Sequence, residues 1–454
     1  MFPVWGFPPA GNSTYEGLQT MELSKHNIIG KLEGSGNYFI VNPLSRQADI
    51  ITPEIFSQLE QGSWENPEEL QAKGYLVDPR EEQSRYNREY LDFIDARDDD
   101  EIQLFYVPTY SCNFGCSYCY QEEYPHEQVT EHREVIDAFF KYIDEEFRGR
   151  RKYLTIFGGE PLLSSQTSQN TISYLIQQAA ARSLDVAVVT NGWALEQYIP
   201  ILKQGSIREI QVTLDGPPAV HDSRRMLKGG GGTFSRIASG IDAALKEQIP
   251  VNLRVVVDRE NFPYLKDLAD IAIQRGWTSH QLFKTQLGRN YELHTCQSDQ
   301  QKLYDRVSLY QDIYHLVRSY PRFLEFHRPA FSISKFLFEH GELPQPLFDS
   351  CPGCKTEWAF DYSGKIYSCT ATVGMDGQDL GTFYPVVNRK QEIIDLWEER
   401  DVRSIPECSQ CSLQLACGGG CAAVAQHAKG SVHTGDCRPV RELMGYGLSL
   451  YFNE

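Results

Sequence analysis

Three cysteines stand close together in Ser111-Cys112-Asn113-Phe114-Gly115-Cys116-Ser117-Tyr118-Cys119, in the spacing C-x3-C-x2-C, just after an apolar run at 102–107. Three thiolates can hold three irons of an iron–sulfur cubane. A cubane ordinarily takes four, so such a site leaves one iron open to an exogenous ligand. Zinc is the competing chemistry, but zinc asks for a fourth protein ligand, for which His126 is the nearby candidate. Gly158-Gly159-Glu160-Pro161 follows a second β-rich run. Its glycines let backbone approach a ligand closely, and its Glu can accept from an ammonium group. Thr190-Asn191-Gly192 and Leu214-Asp215-Gly216-Pro217 end two further runs, and His221 and Arg225 follow the latter. The tail holds Cys351, Cys354, Cys369, Cys408, Cys411, Cys417, Cys421 and Cys437, spaced C-x2-C-x9-G-x4-C, then C-x2-C-x5-C-x3-C and a last Cys. Of the 12 cysteines only Cys296 stands alone, and it reads as an unligated thiol.

These motifs need a scaffold that brings strand ends side by side. From residue 102 to about 288, short β-rich runs alternate with longer amphipathic ones. Strands are expected at 102–107, 153–157, 186–190, 209–214, 251–257 and 280–287, with helices at 134–148, 171–182, 234–247 and 264–275. Six strand–helix units imply a parallel α/β sheet, in the order of a partial (β/α)6 TIM-like barrel. Chemistry in such barrels sits at the carboxyl ends of the strands, where the motifs fall.

Residues 1–95 read as a small α+β unit without cysteine. A hairpin is expected at 37–51 around Asn42-Pro43-Leu44-Ser45. Thr52-Pro53-Glu54 opens a helix with Thr at the N-cap and Pro at the first position. A second helix at 68–74 leads into a strand at Tyr75-Leu76-Val77. The acidic stretch 95–101 reads as a solvated linker, and the glycines at 229–232 as a mobile loop. A phosphate cradle would also need a Lys and a Ser or Thr in the Walker order, which that loop lacks.

The length of 454 residues suggests two or three domains, and 41% apolar residues can fill their cores. A net charge of −18 speaks against a nucleic-acid partner, which needs clustered Lys and Arg, and suits a neutral or cationic peptide better. Residues 1–11 carry no Lys, no Arg and no long apolar run, so a cytoplasmic protein with no membrane partner is expected. In a reducing compartment, this many cysteines point to metal binding rather than disulfides.

The three-cysteine loop, with Tyr118 before its last thiol, resembles the radical S-adenosylmethionine (radical SAM) superfamily. The resemblance implies that Cys112, Cys116 and Cys119 hold the catalytic [4Fe-4S] cluster, whose open iron takes the amino and carboxylate groups of SAM. Electron transfer would cleave SAM to a 5'-deoxyadenosyl radical, and the protein would supply positioning. Gly158, Gly159, Glu160 and Pro161 match the GGEP-type motif that holds the methionine amino group. Thr190 and Asn191 resemble the segment lining the SAM site. Leu214 to Pro217 with His221 and Arg225 resembles a motif of the anaerobic sulfatase-maturing and peptide-modifying branch. There an Arg pairs with the SAM carboxylate, a bidentate task; the role falls to Arg225, with the adjacent Arg224 as the alternative.

The tail looks like a SPASM domain, which implies two auxiliary [4Fe-4S] clusters, one on Cys351, Cys354, Cys369 and Cys421 and one on Cys408, Cys411, Cys417 and Cys437. Eight thiols suit two fully ligated clusters. Two structural zincs are the alternative. The amino-terminal hairpin and helices resemble the winged-helix units that bind leader peptides, through a strand edge beside residues 38–41; a structural cap is the alternative.

Three domains are therefore expected: a winged-helix-like unit at 1–95, a radical SAM barrel at 96–330 and a SPASM domain at 331–454. The expected activity is that of a peptide maturase installing a thioether, a carbon–carbon crosslink or a related modification in a ribosomally made precursor. A flavodoxin or ferredoxin would donate electrons. An anaerobic sulfatase-maturing enzyme making formylglycine and a noncatalytic iron–sulfur protein are the alternatives. Sulfatase maturases of that branch place an Asp, as base, directly after the third SPASM cysteine. Here Cys369 is followed by Thr370-Ala371-Thr372, which disfavours that reaction.

Overall fold

A computed structural model describes residues 21–64, 66–124, 130–290 and 301–452; residues 1–11, His126 and Cys296 lie outside the described residues. At its centre an eight-stranded sheet runs Phe283–Arg289, Val251–Val257, Ser206–Thr213, Asp185–Thr190, Lys152–Ile156, Ile102–Val107, Glu357–Asp361 and Ile366–Tyr367. The first seven are parallel, and the last turns back antiparallel. From Ile102–Val107 outward the chain adds one strand after each crossover, which is the order of a partial (β/α)6 barrel. All six expected strands are present, with the bounds moved by no more than three residues.

Side chains alternate across each strand. One set, including Leu104, Leu154, Ile156, Val188 and Ile210, is buried beneath the helices. The helix Arg133–Glu146 meets it with Ile136, Phe139, Phe140 and Ile143 at three- and four-residue spacing. Each such side chain contributes about 1.5–3 kcal/mol of burial. The other set is mixed: Gln103 donates to Thr155 Oγ1 at 2.9 Å and Gln211 to Gln286 Oε1 at 2.9 Å, while Phe105 and Val107 form a second apolar cluster with Ala359.

The seventh strand, Glu357–Asp361, comes from the cysteine-rich tail and pairs in parallel with Ile102–Val107. Phe360 packs against Phe139 at 5.1 Å between ring centres. No strand was expected there, because a five-residue run paired with a partner some 250 positions earlier leaves no local signal.

In the amino-terminal unit, Ile28–Lys31, Tyr38–Asn42 and Gln47–Ile51 form an antiparallel sheet that contains the expected hairpin. Helices Pro53–Gln61 and Pro67–Ala72 follow, the first capped by Thr52, and Leu76–Val77 pairs with Glu22–Leu23. Two expectations are corrected. Tyr38–Asn42 is the middle strand, so residues 38–41 offer no open edge. Ile28–Lys31 lies against the helix Val440–Phe452, where Gly445 passes so close to the Lys31 carbonyl that a Cβ would collide. That leaves Gln47–Ile51 as the edge with no further strand among the described residues.

The stretch 95–101 is also no linker, since the helix Pro79–Asp99 runs through most of it. Asp78 caps that helix by accepting from Arg80 and Glu81 N–H. Tyr86, Tyr90 and Phe93, at i, i+4 and i+7, close on Phe348 of the tail at 5.1, 5.3 and 5.6 Å. An aromatic stripe and the buried Glu82, which accepts from Ser24, hold the helix, while its other charges mimic a linker in sequence. The amino-terminal sheet shares a core with the tail as well: Ile28, Phe39 and Val41 pack with Leu337, Met444 and Leu448.

Candidate active site

The loop after Ile102–Val107 is shaped by backbone hydrogen bonds that do not use its thiols. Phe114–Cys116 pairs antiparallel with Arg225–Leu227, and Ser117 N–H donates to the Arg224 carbonyl at 3.0 Å. The turn after the second barrel strand docks directly on this loop. Gly159 N–H donates to Thr109 O at 3.0 Å and Glu160 N–H to Ser111 O at 2.9 Å. A Cβ on Gly159 would strike the carbonyl oxygens of Tyr110 and Ser111, so this contact requires glycine.

Cys112, Cys116 and Cys119 line one small hollow with Tyr110, Phe114 and Gln121. Among the described residues no three or more His, Cys, Asp or Glu side chains close on one point as around a single ion. Three thiols lining one hollow are the donor set of an iron–sulfur site. Burial, with the Glu160 carboxylate, pushes the Cys112 thiol up to about 12. Left to the fold alone it stays protonated; the positive charge of bound iron is what would ionise it.

Glu160 is buried and heavily engaged. Its Oε1 accepts from Leu162 N–H at 2.8 Å and Thr190 Oγ1–H at 2.6 Å, and its Oε2 from Asn191 N–H at 2.5 Å. Burial pushes its carboxyl up to about 7 against these donors. Asn191 Nδ2 donates to Asn113 Oδ1 at 2.8 Å and stands 3.9 Å from Cys112 Sγ, which ties the third strand's turn to the thiol loop.

The two adjacent arginines part company. Arg224 turns away to Asp258, with bonds of 2.8 and 3.0 Å. Arg225 is buried and donates through Nη1 to Tyr118 OH at 2.7 Å, and Tyr118 donates to Asp215 Oδ2 at 2.5 Å. His221 Nδ1 accepts Asp215 N–H at 3.1 Å, and burial lowers its pKa to about 3, so it is a neutral support behind the wall.

A cavity of about 280 Å³ opens at the carboxyl ends of the strands. It brings together the three thiols, Gly158, Gly159, Thr190, Asn191 and Arg225, while Glu160 and Pro161 stand behind its wall. Thr370 and Ala371, from the tail, close another side. The sequence reading missed Arg254 and Arg289, which also line it. Arg254 carries a local signal, a charge inside the largely apolar run Val251–Val257, whereas Arg289 ends the mixed run Phe283–Arg289 and carries none.

The tail thiols separate into two neighbourhoods. Cys369 feels the charge of Cys351 and Cys421, and Cys354 that of Cys369 and Cys351. Cys408 feels Cys417, Cys437 and Cys411, and burial pushes it up to about 11. The fully buried Arg400 holds the loops between them. It donates to the carbonyls of Val432, Gly419, Gly420 and Thr434 at 2.6–3.2 Å.

Residues 106–272 match the model of the radical SAM superfamily. Over that stretch the chain is similar to radical SAM enzymes. Such enzymes bind SAM and carry a [4Fe-4S] cluster, which the three-thiol loop fits. Among relatives, a GTP 3',8-cyclase of Nautilia profundicola is 30% identical over 175 residues, 37% of this chain and 52% of its own length. The chain thus spans about half of that relative. Its fold is shared with the structure of anSMEcpe with bound AdoMet and Cp18Cys peptide, at 18% identity and a TM-score of 0.59 over 78% of this chain and 99% of that one. It is also shared with Streptococcus suis SuiB bound to precursor peptide SuiA, at 14% identity and a TM-score of 0.51 over 92% of this chain and 99% of that one. Among the described residues, no helix is long and apolar enough to cross a membrane.

Proposed function

We propose that this protein is a radical SAM peptide maturase that abstracts a hydrogen from a ribosomally made precursor to install a thioether, a carbon–carbon crosslink or a related modification. When bound, the cluster and SAM would supply the 5'-deoxyadenosyl radical. The chain's own residues place the reactants. Cys112, Cys116 and Cys119 hold the cluster, Arg225 meets the SAM carboxylate, and Gly158, Gly159, Thr190 and Asn191 form the wall against which SAM lies. Glu160 fixes the Thr190–Asn191 turn and keeps one acceptor position on Oε2 for the SAM ammonium. Cys351, Cys354, Cys369 and Cys421 would hold one auxiliary cluster, and Cys408, Cys411, Cys417 and Cys437 a second. A flavodoxin or ferredoxin is the proposed electron donor.

The observation that carries this reading is the cavity wall itself. Where the sulfatase-maturing branch would place an Asp there stands Thr370, whose N–H is held by Glu357 at 3.0 Å, and no Asp or Glu among the described residues lines the cavity. The fold shared with SuiB over 92% of the chain takes in the amino-terminal unit and supports a peptide substrate. Mass spectrometry of the peptide encoded beside this gene, after co-expression, tests the reading. Loss of two hydrogens is expected, whereas formylglycine in a co-expressed sulfatase would favour the other branch.

Glu160→Ala and Arg225→Ala are each expected to weaken SAM binding by roughly tenfold to a hundredfold, the worth of one charge-assisted hydrogen bond. Iron content should not change, because neither residue is a ligand. Unaltered SAM binding in both variants would remove these contacts from the account.

A further inference from the structure

The chain carries 61 acidic and 43 basic residues, yet among the described residues its cavity is lined by three arginines and no Asp or Glu. Arg225 faces the thiol loop through Tyr118, and Arg289 donates to the Tyr304 carbonyl. Arg254 differs from both. It lies on the strand Val251–Val257, opposite Thr213 on one neighbouring strand and Gln286 on the other. Its guanidinium has one hydrogen-bond partner, the neutral Gln211 Oε1 at a long 3.4 Å, and no ion pair among the described residues. The neighbouring strand gives it room: a Cβ on Gly288 would stand 3.4 Å from Arg254 Nη2. By contrast Arg224 is paired with Asp258, and the buried Arg400 donates to four carbonyls. A guanidinium that lines a cavity with no anion beside it among the described residues is a fork shaped for a carboxylate. Arg254 is therefore set for a ligand.

We propose that Arg254 selects the substrate by binding a carboxylate carried by the peptide, either an acidic side chain or a free carboxyl terminus. The proposal rests on the reading that the cavity holds SAM and a peptide. It also revises the expectation drawn from net charge, since an acidic chain here presents a cationic pocket. Arg254 would orient the peptide without touching the reacting atoms, which makes it a positioning residue.

The test uses cluster-reconstituted protein with SAM bound and three short peptides of otherwise equal composition. One has a central Glu and capped ends, one a central Gln and capped ends, and one a central Gln and a free carboxyl terminus. The wild type should bind at least one acid peptide about tenfold or more tighter than the capped Gln peptide, as a charge-assisted bond requires. Whichever acid peptide wins identifies the source of the carboxylate. Arg254→Gln should erase the preference and Arg254→Lys should keep part of it, and iron content reports that both variants are folded. Equal binding of all three peptides by the wild type, or a preference that survives in Arg254→Gln, would overturn the proposal. So would a variant whose only defect is weaker SAM binding, because the guanidinium would then belong to SAM. A wild type that binds no SAM would mark failure of the radical SAM reading itself and take this proposal with it.

Discussion

Replacing Cys112, Cys116 and Cys119 together by Ala is expected to remove about four of about twelve irons and to end SAM cleavage, while the tail retains its iron. The thiol loop keeps its shape through Phe114–Cys116 paired with Arg225–Leu227 and through backbone bonds to Thr109 and Ser111. The substitution therefore removes ligands and not the fold. The tail thiols couple to one another in two separate neighbourhoods, which gives them no reason to lose metal with the loop. Metal analysis of anaerobically reconstituted protein reads the result. Unchanged iron, or zinc in its place, would contradict the cofactor assignment.

Removing the leader from the precursor is expected to slow processing by about a hundredfold, the worth of roughly 3 kcal/mol of edge hydrogen bonds and side-chain contacts. SAM cleavage without substrate should continue. The proposed dock is the strand Gln47–Ile51, whose outer edge pairs with no other strand among the described residues. Deleting the amino-terminal unit is a poor test, because Ile28, Phe39 and Val41 share a core with Met444 and Leu448, and Tyr86 donates to Gln414 at 2.8 Å. A truncated chain would bare that core whatever the unit does. Hydrogen exchange on the full chain is cleaner: added leader should protect amides of Gln47–Ile51 and leave the already paired Tyr38–Asn42 unchanged. Full-rate processing of a leaderless peptide, with no new protection at 47–51, would make the unit a structural cap.

The barrel was legible because its first four strands are each closed by a motif of their own, and the motifs mark the carboxyl ends. The thiol loop, the glycine turn and Arg225 were found for the same reason: each is a local pattern on a strand that ends at the cavity. What stayed hidden was set by distance along the chain. Glu357–Asp361 joins the barrel far from its partner strand, and Thr370 reaches the cavity only because that strand brings the tail there. The helix Pro79–Asp99 escaped because its stripe of Tyr86, Tyr90 and Phe93 is thin among charges and gains its partner, Phe348, only in three dimensions. The middle position of Tyr38–Asn42 likewise depends on a short preceding strand, Ile28–Lys31, that carries little pattern of its own. Glu160 was read as a ligand for SAM, but its bonds to Leu162, Thr190 and Asn191 make it first a brace between two turns.

The most direct test of a radical peptide maturase follows one atom. The precursor encoded beside the gene is prepared with its carbon-bound hydrogens replaced by deuterium and is incubated with reconstituted enzyme, SAM and a reductant. The 5'-deoxyadenosine released is then weighed by mass spectrometry. Deuterium in that product, together with a peptide that has lost two hydrogen isotopes, is the predicted result. Unlabelled 5'-deoxyadenosine beside a peptide of unchanged mass would contradict it.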